Sequence, residues 1–307
     1  MKIAFFETKQ DSIITNRLQK YNSQITFFEK NIYEYSNLED FEIISIFINS
    51  KITKEILDKL PNPKYIQTRS TGYDHIDIVE CYKRGIVVSN VKGYAGPAVG
   101  EFAFSLLFEA IRHTYKAINR VKNNNFYYKD LQGVEIYNKT IGILGLGAIG
   151  TQIAKIAKGF GAKTIGFSRT KNSIVDIHTS SLDEVLKSDF LFIALPLTPQ
   201  TKHLLNENNF HNIKSKVIIN IARDEILSKY VYQNFNGIIA SDVTNDTALL
   251  QKENIIVTPH MAYYTKEALR RILNISLDNM CDFLDGKKPR NCLLEECKKE
   301  YECKSHS

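Results

Sequence analysis

Three glycines stand at positions 145, 147 and 150, directly after an apolar run, Thr140–Leu144. They open a helix-like segment, Ile149–Phe160. A strand, a turn and a helix with glycines at this spacing suit the pyrophosphate of a dinucleotide. Gly145 permits the tight turn, Gly147 lets the backbone approach the phosphates, and Gly150 lets helix and strand pack closely. Ala148 and Ile149 lie where the helix begins, and free N–H groups and a positive dipole end there favour an anion. A glycine-rich turn without a ligand is the alternative, and the flanking strand and helix weigh against it.

The next strand-like run, Lys163–Phe167, ends in Ser168, Arg169 and Thr170. A carboxylate at this place would bind a ribose 2′-hydroxyl, and none is present. Two hydroxyls and a planar cation suit a 2′-phosphate instead, which predicts NADP(H) in preference to NAD(H). An exposed arginine without a role is the alternative.

These groups need a scaffold. Short apolar runs at Ile3–Phe6, Ile25–Phe28, Ile43–Ile48, Tyr65–Thr68 and Ile86–Ser89 read as strands, with helix-like pieces such as Thr53–Leu60 between them. A long helix is expected over Ala98–Lys122, with Pro97 near its first turn. A second series follows: strands at Phe190–Leu195, Lys216–Ile221, Gly237–Ser241 and Ile255–Thr258, and helices at Leu182–Lys187 and Lys266–Leu284. Strands alternating with helices predict an α/β fold, here two Rossmann-like, doubly wound parallel sheets with a cleft between them. The polar tail after Pro289 is expected to be loosely held.

The chain has 307 residues, which favours two domains. Its formal charge of +6 is spread thinly, which argues against nucleic acid but suits small anions. No stretch reaches membrane-span length, and five cysteines without a C-x-x-C pair fit a reduced, cytoplasmic protein. Cys292, Cys297 and Cys303, with His306, do not have zinc-ligand spacing, so no metal site is expected.

Further motifs make the sequence resemble the D-isomer-specific 2-hydroxyacid dehydrogenases, closest to the D-lactate dehydrogenase branch. TRSTGYDHID, Thr68 to Asp77, is similar to the family's substrate-carboxylate loop. GIVVSN, ending at Asn90, and AVGE, beginning at Ala98, resemble the entry to its crossing helix. Leu195, Pro196 and Thr198, with Thr201, match its cofactor-edge loop, and Asn220 to Arg223 carries its catalytic arginine position, with Ile221 and Ala222 expected at the cofactor. Asp242 matches the nicotinamide-side aspartate, and TPHMAYYT, from Thr258, carries the catalytic histidine position at His260.

The resemblance implies a mechanism. The carboxylate of a 2-oxo acid would rest on Arg223 and on the backbone N–H groups of Thr71 and Gly72. His260 would exchange a proton with the carbonyl oxygen. Tyr94, Tyr263 and Tyr264 would shape the pocket for a small side chain. Residues 1–96 and 263–307 would form the substrate domain and 97–262 the dinucleotide domain. A homodimer would use the long helix as its contact.

Two positions depart from the family pattern. The glutamate expected beside the histidine falls on Thr247, and Asp246, one residue out of register, is the nearest carboxylate, with Glu253 more remote. A glycine is usual after the arginine, and here Asp224 follows. Adjacent residues at a strand end point to opposite sides, so Asp224 is expected to face outward. The departures leave a second possibility, a dinucleotide-binding sensor or partner-binding protein of the same fold with little catalysis.

Overall fold

The computed structural model describes residues 1–38, 40–168, 177–244 and 246–298. The chain divides into two compact units, Met1–Tyr94 with Lys266–Ser307, and Ala95–Thr265.

In the first unit, strands β1 (Lys2–Phe6), β2 (Gln24–Phe28), β3 (Ile43–Ile46), β4 (Tyr65–Thr68) and β5 (Val87–Ser89) form one sheet in the order β2-β1-β3-β4-β5. All four pairings are parallel. Helices α1 (Ser12–Leu18), α2 (Lys54–Asp58) and α3 (Ile78–Lys83) connect them. Side chains alternate across a strand, so Ile3 and Phe5 face one layer while Ala4 and Phe6 face the other.

The second unit begins with helices α4 (Gly96–Arg112) and α5 (Thr114–Lys122). Its strands are β6 (Thr140–Leu144), β7 (Lys163–Phe167), β8 (His178–Thr179), β9 (Phe190–Ile193), β10 (Val217–Asn220), β11 (Ile238–Ser241) and β12 (Ile255–Val257). Helices α6 (Ala148–Gly159), α7 (Leu182–Val185) and α8 (Lys229–Asn234) lie among them. The seven strands are ordered β12-β11-β10-β9-β6-β7-β8, all parallel. Strand order reverses beside β6, the switch point at which such sheets bind ligands. Phe104 and Leu107 of α4 pack with Ile141, Ile143 and Phe192 on one face. Val185, Val231 and Tyr232 pack with Leu191, Ile193 and Ile218 on the other. The doubly wound α/β class read from the sequence is therefore the observed one. No helix among the described residues is long and apolar enough to cross a membrane.

Two expectations are corrected. The single helix over Ala98–Lys122 is two helices, because His113 adopts φ +54°. His113 N–H still donates to the Glu109 carbonyl at 3.1 Å, and the Glu109 carboxylate accepts the Tyr115 amide at 3.0 Å, restarting the helix on a new axis. The tail is also held, at least as far as residue 298. Helix α9 (Lys266–Leu284) presents Asn279, whose amide donates to the Asn90 carbonyl and accepts the Asn291 N–H. Leu293 N–H donates to the Val88 carbonyl at 2.8 Å. Leu293 and Cys297 are buried in the first unit's core, so apolar burial outweighs the segment's polar composition.

Candidate active site

The glycine turn leaves β6 and enters α6. Gly145 has φ +98°, and a Cβ there would lie 2.6 Å from the Ala194 carbonyl oxygen. A Cβ on Gly150 would lie 1.9 Å from the Gly145 carbonyl oxygen, so only glycine lets the helix sit this close. A Cβ on Gly147 would meet nothing within 4 Å. Gly147 thus contributes no internal packing, and its backbone faces open space at the N-terminus of a 12-residue helix. That arrangement fits a pyrophosphate, with Ala148, Ile149 and Gly150 in the first turn of the helix.

Ser168, half-buried, follows β7, while Arg169 and Thr170 lie outside the described residues. After β9, Leu195 and Pro196 enter a compact turn built by Thr201. The Thr201 hydroxyl is buried, donates to the Pro196 carbonyl at 2.6 Å and accepts the Thr198 N–H at 2.7 Å. Thr201 therefore shapes this edge from within.

Arg223 follows β10 on a turn organised by the buried side chain of Asn220. Its Nδ2 donates to the Arg223 carbonyl at 3.0 Å, and its Oδ1 accepts the Ala222 N–H at 3.1 Å. Ile221 and Ala222 are buried, and the half-buried Arg223 donates from Nη1 to the Ala222 carbonyl. Asp224 does not face outward as expected. The residue opens a 3-10 turn, Asp224–Ile226, and is half-buried. Its Oδ1 accepts the Tyr232 hydroxyl at 2.6 Å and also the Thr244 hydroxyl.

His260 lies after β12 on a segment held by a single carboxylate. Asp242, fully buried after β11, accepts the Thr258 hydroxyl at 2.6 Å and the Met261 N–H at 2.9 Å through Oδ1. Its Oδ2 accepts the Ala262 N–H at 2.8 Å. Between these anchors His260 takes φ +54° and donates its N–H to the Thr258 carbonyl. Desolvation pushes the His260 pKa down, the Asp242 charge opposes this, and Arg223 reinforces it. Both charges therefore act on the imidazole. Asp246 is engaged elsewhere: its Oδ1 accepts the Ala248 N–H at 3.0 Å, capping the 3-10 turn Thr247–Leu249. Glu253 is exposed. Asp246 thus caps a turn, and the carboxylate whose charge bears on His260 is that of Asp242.

Tyr263 stands edge-on to His260, with ring centroids 6.4 Å apart, and edge-on to Tyr264 at 6.1 Å. Tyr263 is half-buried, and Tyr264 is exposed. In the first unit, the Thr71 carbonyl accepts Asn90 Nδ2 at 2.7 Å, and the Gly72 carbonyl accepts the Ser70 hydroxyl at 2.7 Å. Among the described residues the N–H groups of Thr71 and Gly72 donate to no acceptor. Tyr94 is buried, and its carbonyl accepts Arg271 Nε at 2.8 Å.

Sequence reasoning gave Asp242 to the cofactor and missed its grip on residues 258–262. It also missed Tyr232 and Thr244, and the hydrogen bonds by which Asn220 shapes the Arg223 turn. The spacing from 242 to 258 carries no motif, and only the pairing of β11 with β12 brings the two strand ends together.

A parallel sheet with a glycine turn at its switch point, and an arginine and a histidine at two further strand ends, fits a dinucleotide-dependent oxidoreductase. Residues 104–262 match the family described as D-isomer specific 2-hydroxyacid dehydrogenase, NAD binding domain. A glyoxylate reductase of Thermofilum pendens is 33% identical, the match covering 82% of this chain and 81% of that protein. The crystal structure of D-lactate dehydrogenase from Aquifex aeolicus, complexed with NAD and lactic acid, superposes with a TM-score of 0.84 at 27% identity. That match covers 95% of this chain and 99% of the other. An acyclic imino acid reductase in complex with NADPH and D-Arg also gives 0.84, at 28% identity over 95% of this chain and 99% of its own. The chain belongs to the D-isomer-specific 2-hydroxyacid dehydrogenase family, and it is an oxidoreductase acting on 2-hydroxy acids with a nicotinamide dinucleotide.

Proposed function

We propose that this enzyme reduces a small 2-oxo acid to the D-2-hydroxy acid, with Arg223 binding the carboxylate and His260 carrying the proton. The observation that carries this reading is the placing of the glycine turn after β6, Arg223 after β10 and His260 after β12, at strand ends of one parallel sheet. The names of relatives place glyoxylate and lactate among the substrates of similar proteins. A short 2-oxo acid such as pyruvate or glyoxylate is the substrate class that follows.

Gly145, Gly147, Ala148, Ile149 and Gly150 would hold the dinucleotide pyrophosphate, with Leu195, Pro196, Ile221 and Ala222 along its edge. The bound dinucleotide supplies the hydride to the substrate carbonyl carbon. The planar guanidinium fork of Arg223 matches a carboxylate. Thr71 and Gly72 would add backbone donors, their carbonyls being tied back by Asn90 and Ser70. The imidazolium form of His260 gives its proton to the carbonyl oxygen as that oxygen gains negative charge, and the neutral form takes it back in oxidation. Asp242 keeps His260 in place and favours the protonated ring. Tyr94, Tyr263 and Tyr264 would bound the substrate side chain.

Ser168, Arg169 and Thr170 favour the 2′-phosphate form of the dinucleotide, so NADPH should be used in preference to NADH. Residues 1–96 and 263–307 would serve the substrate and 97–262 the dinucleotide. A homodimer is supported by exposed apolar side chains around α5: Tyr115, Ile118, Val121, Phe126 and Tyr128. A cytoplasmic location fits the unbridged thiols of Cys81, Cys281 and Cys292.

Absorbance decay of NADPH or NADH with pyruvate, glyoxylate, hydroxypyruvate, 2-oxobutyrate and phenylpyruvate tests this reading. Turnover of a short 2-oxo acid supports it. Tight dinucleotide binding without turnover of any of them would favour a sensor of the same fold.

A further inference from the structure

Asp224 stands where the family pattern has glycine. Asp224 turns its carboxylate into the protein, where two hydroxyls from different elements meet one oxygen. Tyr232 comes from α8 and Thr244 from the segment after β11, and both are buried. The Tyr232 phenol is held above its ordinary pKa, by burial first and then by Asp224, so it remains a donor. Thr244 lies two residues beyond Asp242, the anchor of the His260 segment. Asp224 itself adjoins Arg223, whose carbonyl is fixed by Asn220.

We infer that Asp224 is a positioning residue which ties the Arg223 turn to the strand end carrying Asp242, so that the carboxylate-binding cation and the proton carrier share one hydrogen-bonded support. A glycine at this position would leave Tyr232 and Thr244 without their common acceptor and would give the Arg223 turn more backbone freedom. Bonds to a charged acceptor are stronger than neutral ones, so a carboxylate suits this cross-link better than an amide or hydroxyl would. The effect on Arg223 is indirect, through geometry, and it rests on the proposed role of Arg223 in holding the substrate carboxylate.

The test compares Asp224→Ala, Asp224→Gly and Asp224→Asn with the parent enzyme. In Asp224→Ala and Asp224→Gly, the KM for the preferred 2-oxo acid should rise about tenfold while the Kd for the dinucleotide holds, as the loss of two charge-assisted hydrogen bonds implies. Asp224→Asn keeps an acceptor oxygen and should recover most of that loss. Hydrogen exchange adds a readout independent of turnover: amides at 221–227 and 258–262 should exchange faster in Asp224→Ala, while those of β6 should not change. Unchanged KM and unchanged exchange at both segments would overturn the inference. A parent enzyme that turns over no 2-oxo acid would instead sink the proposed function, and the exchange data would then decide the cross-link alone.

Discussion

Asp242 and Met261 are joined across two strand ends: the Met261 N–H donates to Asp242 Oδ1 at 2.9 Å, directly after His260 in the chain. With Thr258 and Ala262 held by the same carboxylate, the histidine is fixed from both sides in a left-handed conformation. Non-glycine residues reach that region at a cost, and the three bonds to Asp242 offset it. Asp242→Asn removes one acceptor and the charge. It should lower kcat for 2-oxo acid reduction by about 10- to 100-fold, the range expected when a buried donor loses its partner. Steady-state kinetics with the folded variant checks this.

His260, with Asp242 beside it in the fold, sets a pH dependence. In the proposed mechanism the imidazolium is the form needed for reduction, and the His260 pKa lies below its ordinary value, chiefly through desolvation. Reduction should therefore fall as pH rises through a value lower than that of a free histidine, while oxidation of the hydroxy acid gains over the same interval. Asp242 opposes the downward shift. Asp242→Asn should consequently move the reductive limb to still lower pH. A limb that moves upward, in kcat/KM measured against pH, contradicts this assignment.

Arg223 and His260 should separate in kinetics. Arg223→Lys keeps the charge but loses the two-pronged geometry, so its main effect should be a higher KM for the oxo acid. His260→Asn removes the proton carrier and should lower kcat by about 10²- to 10⁴-fold with dinucleotide affinity retained. Fluorescence titration with NADPH, beside the rate assay, distinguishes the two.

Two glycines of one turn should respond differently. Gly150→Ala places a Cβ 1.9 Å from a backbone oxygen, so the helix must move and both Tm and dinucleotide affinity should drop. Gly147→Ala meets no protein atom within 4 Å. It should leave Tm nearly unchanged and weaken dinucleotide binding alone. Calorimetric unfolding and binding titration of both variants test the contrast.

Asp246 should be replaceable. Asn is as good an N-cap as Asp, so Asp246→Asn should keep Tm, rate and pH profile within error. A changed pH profile would show that Asp246 does reach the imidazole during turnover.

Much of this was legible in order along the chain. Strands Tyr65–Thr68, Thr140–Leu144 and Lys163–Phe167 and helix Lys266–Leu284 lie where hydrophobic period and turn residues put them. The glycine turn was legible because its chemistry is local: three backbone requirements fall within six residues. The break at His113 was not, since a histidine in a helical pattern gives no sign that its backbone will turn left-handed. The hold on residues 290–298 was not either, because Asn279, Asn90 and Asn291 meet only once α9 lies against β5.

The sequence by itself determined the fold class and the local form of the glycine turn, and its family resemblance pointed to Arg223 and His260 as the residues proposed to bind a carboxylate and move a proton. Tertiary structure decided which carboxylate stands with the histidine and where Asp224 points. Those answers depend on which strand ends become neighbours in a parallel sheet, and a crossover connection brings together residues whose separation along the chain has no period to read.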